Sequence, residues 1–102
     1  MACDVTARWN IAQTNANGAR YAGTLILQQH GSRITGTADW QNHPDGSVVG
    51  AIVGLTVSFS VIYAGNLIGH YAAELNPSGN HMGCGVCYSN TGDSGTWEAR
   101  AA

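Results

Sequence analysis

The sequence predicts an all-β fold, an eight-stranded antiparallel up-and-down (meander) β-barrel that forms one domain over residues 1–102. Apolar and polar residues alternate along short runs, and this alternation places successive side chains on opposite faces of extended strands. Turns rich in Gly, Asn and Pro separate the runs, and no helical periodicity lasts long enough to predict a helix. Closing eight strands into a barrel removes the exposed edges of a flat sheet, so a barrel is favoured over a two-sheet sandwich.

The strand predicted most clearly lies at residues 54–63. One of its faces is apolar and comprises Leu55, Val57, Phe59, Val61 and Tyr63. The opposite face is mostly Ser and Thr, as is typical of an antiparallel sheet that packs on one side only. The same alternation predicts seven other strands, at residues 5–13, 20–29, 33–40, 48–53, 67–75, 81–88 and 95–100.

The composition excludes several classes of partner. Only 10% of the residues are charged, the chain has no lysine, and its formal net charge is −2. Four arginines do not make a surface that follows a phosphate backbone, so we expect no nucleic acid partner. No apolar run is long enough to cross a membrane, and the first residues lack the features of a signal peptide. The compartment stays open, with a secreted or cell-envelope location favoured over a cytoplasmic one.

Several strand motifs resemble those of the avidin and streptavidin family, within the wider lipocalin-like (calycin) group of barrels. They are Trp9-Asn10, Arg33-Ile34-Thr35-Gly36-Thr37, Gly54-Leu55-Thr56-Val57-Ser58-Phe59 and Leu67-Ile68-Gly69-His70-Tyr71. The resemblance covers most of the chain and implies a barrel that holds a small ligand at one mouth. Ala38 and Trp40 stand where the family has Tyr and Ser, and Leu55 and Leu67 where it has tryptophans. Biotin binding is therefore not indicated.

One local cluster carries possible metal ligands, His81-x-x-Cys84-x-x-Cys87. Zinc prefers thiolate and imidazole, but a structural site needs a fourth ligand, and no matched Cys/His pair is present. We therefore expect no metal and no cofactor, and interpret the cysteines as structural: a disulfide between Cys84 and Cys87, one involving Cys3, or small buried thiols. The acidic residues form no pair suited to acid–base work, so no catalytic residue is predicted; a protein without enzymatic activity is favoured, and an enzyme stays open as the alternative.

We predict a ligand site at the barrel end where strands 3 and 5 finish. Aromatic side chains at inward positions of the strands share the interior with glycine and alanine, and carboxamides flank this rim. The predicted ligand-binding residues are Trp40, Asn42, Tyr63, Asn66, Ile11, Gln13, Tyr88, Tyr21, Tyr71 and Trp97. Such a site suits a small, neutral, partly apolar molecule. The competing interpretation, that Trp40 and Tyr63 only plug the barrel, carries equal weight.

Two other functions stay open: a surface binder (lectin or protein inhibitor) on a filled barrel, and a cyclase-type enzyme that selects the shape of its substrate. The strand at 48–53 is apolar on both faces, and only one face can line the barrel. With Ile62, Ile68 and Ala72 on the neighbouring strands it forms an apolar outer patch. We therefore predict a homo-oligomer that associates through strands 4 to 6.

Overall fold

The computed structural model describes residues 5–40 and 45–102, and in this part of the chain eight antiparallel strands form one closed barrel. Each strand pairs with the next along the chain, and β1 also pairs with β8. The predicted fold class is therefore confirmed. The strands are β1 (Ala7–Asn15), β2 (Arg20–His30), β3 (Arg33–Trp40), β4 (Gly46–Val53), β5 (Thr56–Ile62), β6 (Ile68–Leu75), β7 (His81–Ser89) and β8 (Ser94–Ala101).

Helical structure in the described residues is limited to one 3₁₀ turn, Ala64–Asn66, between β5 and β6. No helix in the described part of the chain has the length and apolar character needed to cross a membrane.

The start of β5 differs from the prediction. Val53 pairs directly with Thr56, so Gly54 and Leu55 form a two-residue turn and do not belong to the strand. Gly54 has a φ of +60°, a left-handed conformation that suits glycine at such a turn. Leu55 was predicted on the inward face, but its side chain is instead exposed.

The barrel is filled with apolar side chains at one end. Trp9 is 1% exposed and donates its indole Nε1–H to the carbonyl oxygen of Val5 at 2.9 Å. Leu27, Leu75 and Met82 are also buried in the core. The segment before β1 therefore closes this end, and open interior space lies towards the other end.

Two inward-facing glycines near the opposite end make room for aromatic rings. Gly23 pairs with Trp40, and a Cβ atom added at Gly23 would lie 2.8 Å from Trp40 Cε3. An added Cβ at Gly46 would lie 3.0 Å from Tyr63 Cε1. The rings therefore lie closer to the neighbouring strands than a residue with a Cβ atom at position 23 or 46 would allow. Such glycine–aromatic pairs are known in other β-sheets.

β7 is irregular because its register with β8 shifts between Met82 and Gly85. Cys84 lies within this β-bulge with a φ of +52°, and its side chain is exposed, whereas Cys87 faces the interior. Both thiols are free. The predicted alternative of a Cys84–Cys87 disulfide is therefore wrong for this structure, because the two side chains belong to opposite faces of the strand. Cys3 lies outside the described residues.

Candidate functional site

A cavity of about 130 Å³ opens at the end of the barrel opposite Trp9. We call it the mouth cavity. The strands bring their ends to this rim because each antiparallel neighbour reverses direction, so β1, β3, β5 and β7 finish where β2, β4, β6 and β8 begin. The residues that line the mouth cavity are Gln13, Asn15, Tyr21, Trp40, Tyr63, Leu67, Gly69, Tyr71, Ser89 and Asp93.

Hydrogen bonds between side chains fix the polar wall of the mouth cavity. The indole Nε1–H of Trp40 donates to the hydroxyl oxygen of Tyr63 at 2.5 Å. The hydroxyl of Tyr71 donates to Gln13 Oε1 at 2.7 Å, and Gln13 Nε2–H donates to Asn15 Oδ1 at 2.7 Å. These bonds join β1, β3, β6 and the residue that follows β5, so they hold these polar groups in fixed positions.

A cluster of three rings supports the cavity from the core. The ring of Tyr71 stacks on Phe59 with centroids 5.2 Å apart and an interplanar angle of 9°. Trp97 meets both rings edge-on, with centroid distances of 5.5 Å to Phe59 and 5.7 Å to Tyr71. Offset stacking and edge-to-face contacts are the favoured geometries for aromatic pairs. The ring contacts with Phe59 and Trp97 and the hydrogen bond from the hydroxyl to Gln13 thus fix the position of the Tyr71 side chain.

Burial raises the pKa of three groups in or beside the mouth cavity. It raises the pKa of the Tyr63 hydroxyl above its ordinary value, although the hydrogen bond from Trp40 partly opposes this shift. Burial also raises the pKa of Tyr71, and the nearby Tyr63 and Cys87 raise it further. The Cys87 thiol likewise has a raised pKa because it is buried. All three groups are therefore protonated and uncharged at neutral pH.

Asp93 carries the one formal charge among the described residues that line the mouth cavity. It lies in the exposed turn between β7 and β8, where its Oδ2 accepts a hydrogen bond from Thr91 Oγ1 at 3.3 Å. No arginine lines the cavity in the described part of the chain. The site therefore consists of aromatic and amide groups inside and a carboxylate at its edge.

Of the ten residues predicted from the sequence, the structure brings five together around the cavity: Gln13, Tyr21, Trp40, Tyr63 and Tyr71. Ile11 and Trp97 are buried in the core and do not line it. Asn66 lies outside it, in the exposed 3₁₀ turn, where its backbone oxygen accepts a hydrogen bond from Asn90. Asn42 falls outside the described residues.

Tyr88 is misplaced in the prediction. It is 60% exposed, and its ring packs against His70 on the outer wall, with centroids 4.9 Å apart. Strict alternation from the buried Met82 would point Tyr88 inward. The extra residue of the β7 bulge reverses the alternation and turns Tyr88 outward.

Five residues line the cavity although they are not among those predicted from the sequence: Asn15, Leu67, Gly69, Ser89 and Asp93. Leu67 and Gly69 stand two residues apart at the start of the predicted strand 67–75, so alternation places both on the same face as Tyr71. Asn15, Ser89 and Asp93 belong to strand ends and turns, where alternation carries no information. Their position at the end of β1 and around the β7–β8 turn is the signal that could have identified them, because both places share the rim with Trp40.

The remaining polar clusters lie on the outer wall and not in the cavity. Ser60 Oγ lies 2.9 Å from His70 Nδ1 across β5 and β6. His81 Nε2 lies 3.5 Å from Glu98 Oε2 across β7 and β8. Within residues 5–40 and 45–102, no three His, Cys, Asp or Glu side chains gather closely enough to hold a metal ion.

Comparisons with known proteins support the fold and do not identify a family. No family model matches the chain, and no curated protein matches it. One solved structure similar to this chain is a redesigned beta barrel, b11L5F_LGL, with a TM-score of 0.75, 13% identity, and coverage of 96% of this chain and 91% of that chain. Another is a redesigned beta barrel, mFAP1, bound to DFHBI, with a TM-score of 0.72, 15% identity, and coverage of 94% of each chain.

These likenesses concern the barrel fold alone. The eight-stranded barrel resembles one that binds a small molecule, and membership of the avidin or calycin family is not confirmed.

Proposed function

We propose that this protein binds a small, neutral, partly apolar molecule in the mouth cavity. The observation that carries the proposal is the combination of an open cavity, four aromatic lining residues and a hydrogen-bonded polar wall that is already fixed. Binding pockets for small molecules generally combine apolar walls with a few well-placed polar groups. A similar barrel bound to DFHBI shows that this fold accommodates a small molecule in another protein.

The size of the cavity restricts the ligand. Drug-sized ligands occupy pockets of roughly 300 Å³ or more, whereas an engineered cavity of about 150 Å³ in another protein holds benzene. The mouth cavity, at about 130 Å³, therefore suits a single ring or a chain of similar bulk, with any further part of the ligand outside the rim.

The groups inside the cavity favour binding over catalysis. Tyr63 and Tyr71 have raised pKa values and are protonated at neutral pH, so neither is a ready general base. Asp93 is an exposed carboxylate at the edge and has no His partner among its hydrogen bonds. The absence of arginine from the described lining also disfavours an anionic ligand inside the cavity.

The experiment that tests the proposal is Trp40→Ala, with binding followed by ligand-observed NMR against single-ring uncharged compounds such as benzyl alcohol. Trp40 supplies a wall and holds the Tyr63 hydroxyl, so we expect affinity to fall about ten-fold or more. Ile26→Ala is the control, because it removes an exposed apolar side chain from the outer face of β2, outside the cavity lining, and should leave affinity unchanged.

Unchanged affinity in a folded Trp40→Ala protein would contradict the proposal. It would direct attention to the outer wall, where a groove of about 560 Å³ is lined by polar residues that include Asn10, Thr24, Asp39 and Glu98. That result would favour the surface-binding alternative.

We also propose that the chain forms a homo-oligomer through the outer face of β4, β5 and β6. Val49, Val53 and Ile62 are 51%, 75% and 46% exposed on this face. All four arginines lie on other strands, β1, β2, β3 and β8, and Glu74 at the far end of β6 is the one acidic residue on this face. A second copy suits such a face, because the part around Val49, Val53 and Ile62 carries apolar and hydroxyl side chains, and two copies can pack there without burying unpaired charges.

Val49→Arg tests the oligomer. It places a charge in the middle of the proposed contact, so the variant should be monomeric in light scattering at micromolar concentration, whereas the wild type should be larger. Thr24→Arg is the control on the opposite wall and should keep the wild-type mass. A monomeric wild-type protein would refute this proposal.

A further inference from the structure

Charge is distributed unevenly along the axis of the barrel. Asp45 before β4 and Asp93 before β8 lie in the half that contains the mouth cavity, as does Asp39 near the end of β3, although Asp39 lies on the outer wall in a groove that Arg100 also lines. Of the arginines only Arg20, at the start of β2, lies in that half. The other three are near the filled end, close to the starts of β1 and β3 and the end of β8: Arg8, Arg33 and Arg100.

The field at the mouth follows from this distribution. Carboxylates outnumber arginines in this half, and an excess of one sign of charge near a concave opening raises the local concentration of ions of the opposite sign. The mouth is thus favourable for a cation and unfavourable for an anion. This bias is independent of the groups inside the cavity, which are uncharged at neutral pH.

Asp93 extends the preference for a cation over an anion to the mouth cavity itself. It lines the mouth cavity together with Tyr21, Trp40, Tyr63 and Tyr71. A carboxylate attracts an ammonium group directly, and aromatic rings attract an ammonium that lies over their faces. A ring seated between these aromatic residues would direct a short substituent outward, towards the rim where Asp93 lies.

We infer that the natural ligand carries a protonated amine on the end that faces the rim, next to an uncharged ring that occupies the cavity. This inference rests on the proposed function, because it assigns the ligand class to the same site. The uncharged portion is the part that the cavity encloses, and the ammonium group stays at the edge, beside Asp93 and in contact with water. Full burial of the cation is not required, which avoids its large desolvation cost.

The test compares three probes of the same shape: benzylamine, benzyl alcohol and benzoate. At low salt we expect benzylamine to bind roughly 1.5-fold to five-fold more tightly than benzyl alcohol, the range for an exposed ion pair, and benzoate to bind most weakly. The preference should shrink in about 0.5 M salt, because screening weakens attraction between exposed charges.

Asp93→Asn should lower the affinity for benzylamine by a larger factor than the affinity for benzyl alcohol, so that most of the preference for benzylamine is lost. Glu74→Gln is the matched control, since it neutralises an exposed carboxylate at the filled end and should leave the preference intact.

The outcomes separate the two proposals. Equal binding of benzylamine and benzyl alcohol, or a preference that persists in Asp93→Asn, overturns the amine inference and leaves the binding site standing. Failure of all three probes to bind overturns the amine inference together with the binding of single-ring ligands.

Discussion

Among single residues, Tyr63 matters most for the wall of the mouth cavity, because of its hydroxyl. It accepts the indole N–H of Trp40, a side chain that is only 5% exposed. A buried N–H without a partner costs free energy, because it has lost its hydrogen bond to water and gained nothing in return. Gly23 and Gly46 add a steric requirement, since they let both rings lie against the neighbouring strands.

Tyr63→Phe is expected to lower the free energy of unfolding by about 1–2 kcal/mol, because it leaves the Trp40 N–H unpaired while keeping the ring. Urea denaturation followed by Trp fluorescence measures this change. Tyr88→Phe removes a hydroxyl from an exposed ring and should change the free energy by less than about 0.5 kcal/mol. If both variants unfold at the wild-type midpoint, the Trp40–Tyr63 bond does not stabilise the rim.

At the scale of elements, β7 departs furthest from a regular strand. Cys84 adopts a φ of +52° although it is not a glycine, and it does so where the β7–β8 register shifts. The left-handed conformation costs a non-glycine residue roughly 1–2 kcal/mol, because Cβ approaches the following carbonyl oxygen. The bulge bends the strand near the filled end and reverses the direction of the side chains that follow.

Substitutions at Cys84 should therefore depend on backbone conformation more than on the thiol. Cys84→Val is expected to lower the free energy of unfolding by about 1 kcal/mol or more, because a β-branched residue fits this conformation poorly. Cys84→Gly should be at least as stable as the wild type. Thr96→Val, on the exposed face of β8, is the control and should be nearly neutral. Equal stability of the Val and Gly variants would argue against strain at Cys84.

Alternation predicts most elements of this fold because the barrel has one apolar interior. The strand Arg33–Trp40 has the bounds predicted for it, and the inward positions of β1, β2, β3 and β6 follow from parity. The same rule brought Trp40, Tyr63 and Tyr71 to one rim. It failed where geometry breaks the period of two: at the Gly54–Leu55 turn and after the β7 bulge. Alternation could not predict the positions of turn residues such as Asp93, because these positions depend on how distant strands close the barrel.

The whole molecule has two unlike ends. Trp9, Val5 and the surrounding apolar side chains fill one end, and the mouth cavity occupies the other. A barrel of eight strands has just enough interior for packed side chains or one small ligand, and in this chain packed side chains fill one half and the mouth cavity occupies part of the other. The filled half supplies the stability that allows uncharged polar groups to stay buried or half-buried in the open half.

This division predicts how stability responds to alkaline pH. The chain has no lysine, so its side chains that titrate between about pH 8 and pH 12 are cysteines and tyrosines. Burial raises the pKa of Tyr63, Tyr71 and Cys87 in the folded state. These raised pKa values add their full share to the free energy of unfolding at any pH below the pKa values that the same groups have in the unfolded chain. As pH rises above those values, the unfolded chain releases protons that the folded protein keeps, so the free energy of unfolding must fall.

We expect the free energy of unfolding, measured by urea denaturation under reducing conditions, to fall from about pH 8 to pH 11, by at most about 1.4 kcal/mol per pH unit for each of these groups. Tyr71→Phe should make this fall less steep, because it removes the group that is buried against Phe59 and Trp97. Its loss of the hydrogen bond to Gln13 lowers stability at every pH and leaves the slope as the informative quantity. Thr96→Ala, which removes no titrating group, should keep the wild-type slope. A slope unchanged by Tyr71→Phe would show that this phenol does not hold its proton more tightly in the folded barrel than in the unfolded chain.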